Sequence, residues 1–269
     1  MKRQPQGISL HVGLNRVDPE HYAGWSGELR GCHADAGAMA AIAKVRGYDP
    51  HRLLLDDQAT VEAVRTLFRT ASSLLEKGDT LLFTFAGHGG QVPDLDGDES
   101  DAMDETLCLW DRQWVDDEIH AEIARFRPGV RILIIADSCH SGTVARSARD
   151  EGEKGYRLLP PGRSRACYRQ HRATYDAIQR GTPGVDASRV RATAILLAAC
   201  QDNQLAADGP DGGLFTATLR QVWRGGRWKG ATWRFRDAIA QRMPPWQTPH
   251  YYVVGHGDPK FEAQPPFTI

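Results

Sequence analysis

A chain of 269 residues, 41% of them hydrophobic, is long enough to bury a substantial core as one large α/β domain or two small ones. Its formal net charge of −1 leaves no bulk imbalance to attract nucleic acid or an anionic membrane. The five cysteines are odd in number, far apart and without a Cys-x-x-Cys pair, which suits a reducing cytosol and indicates no zinc site. No apolar h-region follows Met1 to Gln6 and no run approaches membrane-spanning length, so the expectation is a soluble cytoplasmic protein with no membrane partner.

In chain order, Ile8 to Leu14 alternates and reads as a first strand. Asn15 to Gly27 is a loop, and Gly31 to Gly47 is helical, with Asp35 near its start, where a carboxylate favours the helix dipole. Arg52 to Leu55 is a short strand. Thr60 can cap the next helix, which carries Val61, Val64, Leu67, Phe68, Leu74 and Leu75. Asp79 to Phe85 is a strand that ends in Ala86-Gly87-His88-Gly89-Gly90. These spacings give the βαβ pattern of a parallel sheet.

From Gly89 to Trp114 there is little periodicity, and an acidic run extends from Asp94 to Glu105. Counted from Asp94, Gly97 falls two short of the sixth EF-hand position, so the motif is matched only loosely and a solvated surface loop is the plain reading. Asp116 to Phe126 is a short helix, and Val130 to Ala136 is a strand buried on both faces. Gly142 to Arg191 is rich in Arg, Gly, Pro and Ser and reads as one long structureless stretch, functional or disordered. Its arginines interleave with Tyr156, Tyr168 and Tyr175, so nucleic-acid binding is a minor reading. Ala192 to Ala199 is a strand, Gly213 to Trp223 and Thr232 to Arg242 are helices, and His250 to Val254 is a final strand. There is no internal repeat and no second domain.

The chemistry gathers at two strand ends. Asp137-Ser138-Cys139-His140-Ser141-Gly142 follows the Val130 strand, at the carboxyl edge where open α/β sheets place their sites. A lone Cys is usually a buried core residue, but these polar, small flanks are poor core material. His88 stands in a Gly-rich turn at the end of the other strand. A Cys and a His on adjacent strand ends give the nucleophile and base of thiol catalysis. His140 is the rival base, but successive residues leaving a strand point to opposite sides, so its ring is directed away from the Cys139 thiol.

Taken together, Phe85 to Gln91 and Asp137 to Gly142 resemble the catalytic blocks of metacaspases and bacterial orthocaspases, in the caspase-like clan of cysteine peptidases. Asp94 to Glu105, Asp116 to Ile119, Leu29 to Ala36 and Ala198 to Gln204 resemble further blocks in the same order. The resemblance implies a caspase-like three-layer α/β sandwich with a mostly parallel central sheet and helices on both faces. It implies one domain over 1–269, with a large-subunit-like region to about 142, an Arg-rich linker over 143–190 and a small-subunit-like region over 191–269. It also implies a cysteine endopeptidase: Cys139 attacks, His88 is base and acid, and the backbone N–H groups of Gly89 and Cys139 form the oxyanion hole.

In animal caspases Arg and Gln side chains bind Asp before the scissile bond. This chain has Leu29 at the first such Arg position and carboxylates at Asp137 and Asp35. Those charges attract Arg or Lys, so the expected partners are proteins and peptides cut after Arg or Lys. The Arg-rich linker then offers sites for maturation of a zymogen, by the enzyme itself or by an upstream protease. No cofactor is required. Some metacaspases use Ca²⁺, and the matching ligands here are Asp104, Asp116 and Asp117, although a further family acid is replaced by Ala145-Arg146-Ser147. The alternatives are a catalytically silent module of the same fold, another thiol hydrolase with the same dyad, and a nucleic-acid-binding module.

Overall fold

The structure, a computed structural model, describes residues 3–95, 97, 99, 101–139, 155–182, 189–201 and 204–269. His140, much of the expected linker, and parts of the acidic run lie outside the described residues.

Six strands form the central sheet: β1 (Gly7–Gly13), β2 (His51–Leu55), β3 (Thr80–Ala86), β7 (Arg131–Asp137), β8 (Thr193–Ala198) and β9 (His250–Gly255). Their order is β2-β1-β3-β7-β8-β9, all parallel except β9, which runs antiparallel to β8 at one edge. The two central strands, β3 and β7, are short, apolar and almost wholly buried, as strands covered on both faces must be.

Alternation along them divides the core. Leu81, Phe83, Phe85, Ile132 and Ile134 face one layer, packed with Val61, Val64 and Phe68 of α2 (Val61–Leu74) and Ile123 of α3 (Asp116–Ala124). Leu82, Leu133 and Ile135 face the other, packed with Met39 and Ile42 of α1 (Cys32–Val45), Phe215 and Leu219 of α6 (Leu214–Trp223), and Phe235 and Ile239 of α7 (Thr232–Ala240). A three-layer sandwich follows directly from that period of two. Thr60 caps α2 by accepting the Ala63 N–H at 3.2 Å. β1 was expected to alternate but is buried along most of its length, because it lies between β2 and β3 under helices on both sides.

Two stretches depart from the sequence expectation. The stretch after His88, which lacks periodicity, forms a small antiparallel sheet of β4 (Gly89–Pro93), β5 (Met103–Cys108) and β6 (Gln113–Val115). Strands of three to six residues are too short to display alternation. The stretch expected to be structureless contains α4 (Pro161–Gln170) and α5 (Arg172–Gly181). Pro161 starts α4 at a position where its missing N–H costs nothing, and arginine is a good helix former. Their inner side is anchored by the buried Cys167 and Tyr175, and Arg172 and Arg180 pair with Asp176. The tyrosine that interleaved with arginine in sequence is therefore core material rather than a stacking platform. No described helix is long and apolar enough to cross a membrane.

Candidate active site

Register fixes the site. β3 and β7 pair so that Ala86 lies opposite Asp137. Two residues beyond each partner are His88 and Cys139, so both leave the sheet at the same carboxyl edge.

His88 is 4% exposed and packs its ring against Trp25, centroids 4.7 Å apart. Its Nε2 is 2.8 Å from the Gly27 carbonyl oxygen. A carbonyl can only accept, so Nε2 carries the proton and Nδ1 presents a lone pair. Nδ1 is buried and has no hydrogen-bond partner among the described residues. Burial pushes the imidazole pKa down to about 4, and the nearby Arg157 charge pushes the same way against the raising effect of the Gly27 carbonyl. At neutral pH the ring is therefore an uncharged base with its accepting nitrogen free.

Cys139 is fully buried. Its Sγ accepts the Ala206 N–H at 2.6 Å and lies 3.8 Å from the Ala206 carbonyl oxygen. The thiol is therefore engaged on the side of the segment that follows β8. The backbone N–H of Cys139 is directed elsewhere. It donates to the carbonyl oxygen of Arg157 at 3.0 Å, and the Gly89 N–H donates to the same oxygen at 3.1 Å. The two donors named from sequence as an oxyanion hole thus converge on one peptide carbonyl of the chain itself.

The side chain of that residue fills the neighbouring cavity. Arg157 is 0% exposed. Its Nη1 donates to the Asp137 carbonyl at 3.2 Å and forms an ion pair with Asp137 Oδ2 at 3.0 Å. Its Nη2 donates to Asp35 Oδ2 and, at 2.9 Å, to Asp208 Oδ1; its Nε donates to that same Asp208 oxygen at 3.3 Å. The backbone of the segment is tied as well. The Arg157 N–H donates to the Ala206 carbonyl at 3.0 Å, the Leu159 N–H donates to the Gly89 carbonyl at 2.7 Å, and Tyr156 bridges antiparallel to Ala207. The segment lies in the cleft as an added strand.

The pocket carboxylates are placed by separate elements. Asp35 sits in the first turn of α1 and also accepts the Gly213 N–H at 2.8 Å. Asp137 ends β7 and accepts the Thr216 N–H and Oγ1 at the start of α6, at 3.1 and 2.7 Å. Asp208 accepts the N–H groups of Arg30 and Gly31 at 2.8 and 3.2 Å. Burial, and then the charge of Asp137, raise the Asp35 pKa to about 6 despite the opposing pull of Arg157. The cavity exists because two residues beside it have no side chain. A Cβ on Gly213 would lie 2.7 Å from Asp137 Oδ2 and 2.8 Å from Arg157 Cζ, and one on Gly212, at φ +126°, would lie 2.5 Å from Asp35 Oδ1.

The residues named for calcium are arranged differently. Asp104 is buried on β5, and Asp116 and Asp117 open α3. Burial, followed by Asp117, Glu105 and Glu99, pushes the Asp116 carboxyl up to about 8. Among the described residues no group of three or more His, Cys, Asp or Glu is placed to hold a metal ion.

Sequence reasoning missed Asp208, Arg157 and the Gly212-Gly213 pair. Arg157 was one of ten arginines in its stretch with nothing local to single it out. The Gly209 to Gly213 run, with three glycines in five residues just after Asp208, was the available signal of a close backbone approach.

The caspase domain model matches residues 17–250. A metacaspase-1 of Kluyveromyces lactis is 30% identical over 249 residues, covering 78% of this chain and 56% of its own length. A metacaspase-1A of Aspergillus fumigatus is 41% identical over 150 residues, covering 51% of this chain and 35% of its own. The chain thus spans 56% or less of the length of these relatives. The crystal structure of a Geobacter sulfurreducens protein superposes with a TM-score of 0.91 at 46% identity, over 98% of this chain and 99% of that one. A crystal structure of caspase-1 from Spodoptera frugiperda superposes with a TM-score of 0.55 at 12% identity, over 95% and 88%, and shares the fold. With the caspase domain matched over most of its length, the chain belongs to the caspase domain family, and the metacaspases are its relatives.

Proposed function

We propose that the protein is a cysteine endopeptidase that cleaves proteins after Arg or Lys, and that it is regulated by cleavage of its own Arg157–Leu158 bond. The observation that carries this is the seating of Arg157, with its carbonyl on the Gly89 and Cys139 N–H groups and its guanidinium among Asp35, Asp137 and Asp208. A substrate residue before a scissile bond would need both contacts at once.

Cys139 Sγ adds to the carbonyl carbon, and the negative charge that develops on oxygen falls on the two N–H donors. His88 Nδ1, the free basic nitrogen, takes the thiol proton and returns it to the leaving amine as the C–N bond breaks. Water, deprotonated by the same nitrogen, then hydrolyses the thioester and restores the thiol. Before any cut, Arg157 fills the pocket and excludes other substrates. Cleavage by a second copy, by the same copy or by another protease would start its release.

The test is incubation of the purified full chain and of Cys139→Ala, followed by N-terminal sequencing of fragments and hydrolysis of peptides carrying Arg, Lys or Asp before the scissile bond. The expected result is a fragment beginning at Leu158 and turnover of the Arg and Lys peptides, both dependent on Cys139. Turnover of the Asp peptide, or fragments that persist in Cys139→Ala purified alone, overturns the specificity or the self-cleavage, respectively.

A further inference from the structure

The pocket contains one more acid than sequence reasoning provided, and that acid contacts a different part of the guanidinium. Asp137 and Asp35 hold the terminal nitrogens: Nη1 donates to the Asp137 carbonyl and ion-pairs with Asp137 Oδ2, and one Nη2 bond goes to Asp35. Asp208 approaches from the side, and its Oδ1 takes both Nη2 at 2.9 Å and Nε at 3.3 Å. Nε, both Nη2 hydrogens and one Nη1 hydrogen are therefore matched, and Nη1 forms an ion pair with Asp137 Oδ2. The Nε–H distinguishes arginine from lysine, whose three donors all sit at the tip of the chain.

Asp208 is also built to stay in place without Arg157. Its two oxygens accept the Arg30 and Gly31 N–H groups of the turn that enters α1, at 2.8 and 3.2 Å, and its side chain is 4% exposed. The carboxylate is thus held toward the cavity by backbone that does not belong to the segment carrying Arg157.

We propose that Asp208 is a specificity-determining residue that sets arginine above lysine in the pocket, while Asp35 and Asp137 supply the attraction common to both. This rests on the peptidase reading above. A lysine ammonium, one bond short of the Nη atoms, is drawn toward Asp137 and Asp35 but has no donor at the Nε position, so Asp208 Oδ1 loses that side-chain bond and keeps only the Gly31 N–H. A buried acceptor stripped of its donor costs much more than one never engaged, so the wrong residue is penalised as well as less well held.

The test is Asp208→Asn in the full chain, with kcat/KM measured on peptides identical except for Arg or Lys before the scissile bond. In the wild-type protein arginine is expected to be preferred by ~10-fold or more, the value of about one charged hydrogen bond. In Asp208→Asn the Arg peptide should lose ~10- to 100-fold and the Lys peptide much less, so that the ratio collapses toward one. Equal losses on both peptides, or an unchanged ratio, would make Asp208 a structural support and overturn the assignment.

A second measurement guards against misfolding of the variant. Arg157→Lys is combined with Asp208→Asn as a double-mutant cycle, read both by the rate of cleavage at position 157 and by thermal unfolding. Arg157→Lys should slow cleavage and lower Tm in the parent background and do little in Asp208→Asn. Additive effects would sink the proposal. If neither peptide is cleaved under any condition, the peptidase reading fails, and the unfolding cycle still decides whether position 208 tells Arg from Lys.

Discussion

Around Cys139 lie the cavity that holds Arg157 and the His88–Cys139 pair proposed as catalytic, and they are in opposite conditions. In the pocket Arg157, at zero exposure, donates to Asp35, Asp208 and the Asp137 carbonyl and ion-pairs with the Asp137 carboxylate. In the pair, His88 Nδ1 has no partner among the described residues, and the Cys139 thiol is turned to Ala206. The half that holds Arg157 is densely bonded, with Asp137 Oδ1 its one unpartnered carboxylate oxygen among the described residues, and the half proposed to react is held open. Interactions that are satisfied in the ground state hold a substrate without accelerating it, whereas the unpaired base gains its partner only as the thiol proton moves. Under the proposed function, this is the arrangement of an enzyme holding its own substrate before the chemical step.

The largest effects should come from the reactive half. Cys139→Ala removes the nucleophile and should abolish both peptide hydrolysis and the appearance of a Leu158 N-terminus. His88→Ala should cost ~10²- to 10⁴-fold in kcat, the usual worth of a positioned acid–base group. Both variants should keep the wild-type Tm within a few degrees, since neither removes a partner of Arg157. A His88→Ala protein with normal turnover would break the comparison, because the open nitrogen would then have no use.

Arg157→Ala acts on the other half and should move stability and activity in opposite directions. It leaves three buried carboxylates without their cation, a change that costs about 3–5 kcal/mol for a buried pair, and the loss should grow above pH 6 as Asp35 ionises. The same variant empties the pocket in the uncut chain. Turnover of an added Arg peptide should rise ~10-fold over uncut wild type, because the fraction of competent sites rises. A guanidinium compound added in excess should restore the Tm and inhibit. A fall in both Tm and turnover would mean that Arg157 is a strut and not an occupant.

The pH dependence separates the halves again. His88, held near 4 by burial, is already a free base throughout the neutral range. Asp35, raised to about 6, must lose its proton to bind a cation, so Arg cleavage should decline as pH falls through 6. With no guanidinium in the pocket the opposing pull is lost and this limb moves higher still. Asp35→Asn should lower kcat/KM ~10-fold at pH 7.5 and remove the limb near 6. If the limb persists in that variant, another group sets it.

How much of this could be read from sequence follows the same division. The reactive half was legible because it is local: an apolar β-branched run and then Asp137 to Cys139, a second run and then His88 and Gly89, each interpretable within ten residues. Asp35 and Asp137 could be weighed by charge alone. Asp208 and Arg157 could not, because their meaning depends on a cavity assembled from α1, β7, the turn before α6 and a segment after Cys139. The helices α4 and α5 were hidden for another reason. Their outward arginines dominate the composition, and the few inward groups, such as Cys167 and Tyr175, do not form a visible stripe.

Asp116 offers the smallest and most independent check on the link between buried acids and their cation. Here too carboxylates crowd together, and after burial the charges of Asp117, Glu105 and Glu99 act on Asp116. Its pKa is raised from 3.8 to about 8, so between those values the folded protein holds a proton that the unfolded chain has released. Stability therefore falls as pH rises from about 4 to about 8, and the full penalty is present above 8. Asp116→Asn keeps the shape and removes the charge. It should raise stability by about 1–2 kcal/mol at pH 8.5, a few degrees in Tm, and change nothing at pH 4. A gain of equal size at both pH values would show that the amide merely packs or bonds better, and the crowding of charge would not be its cause.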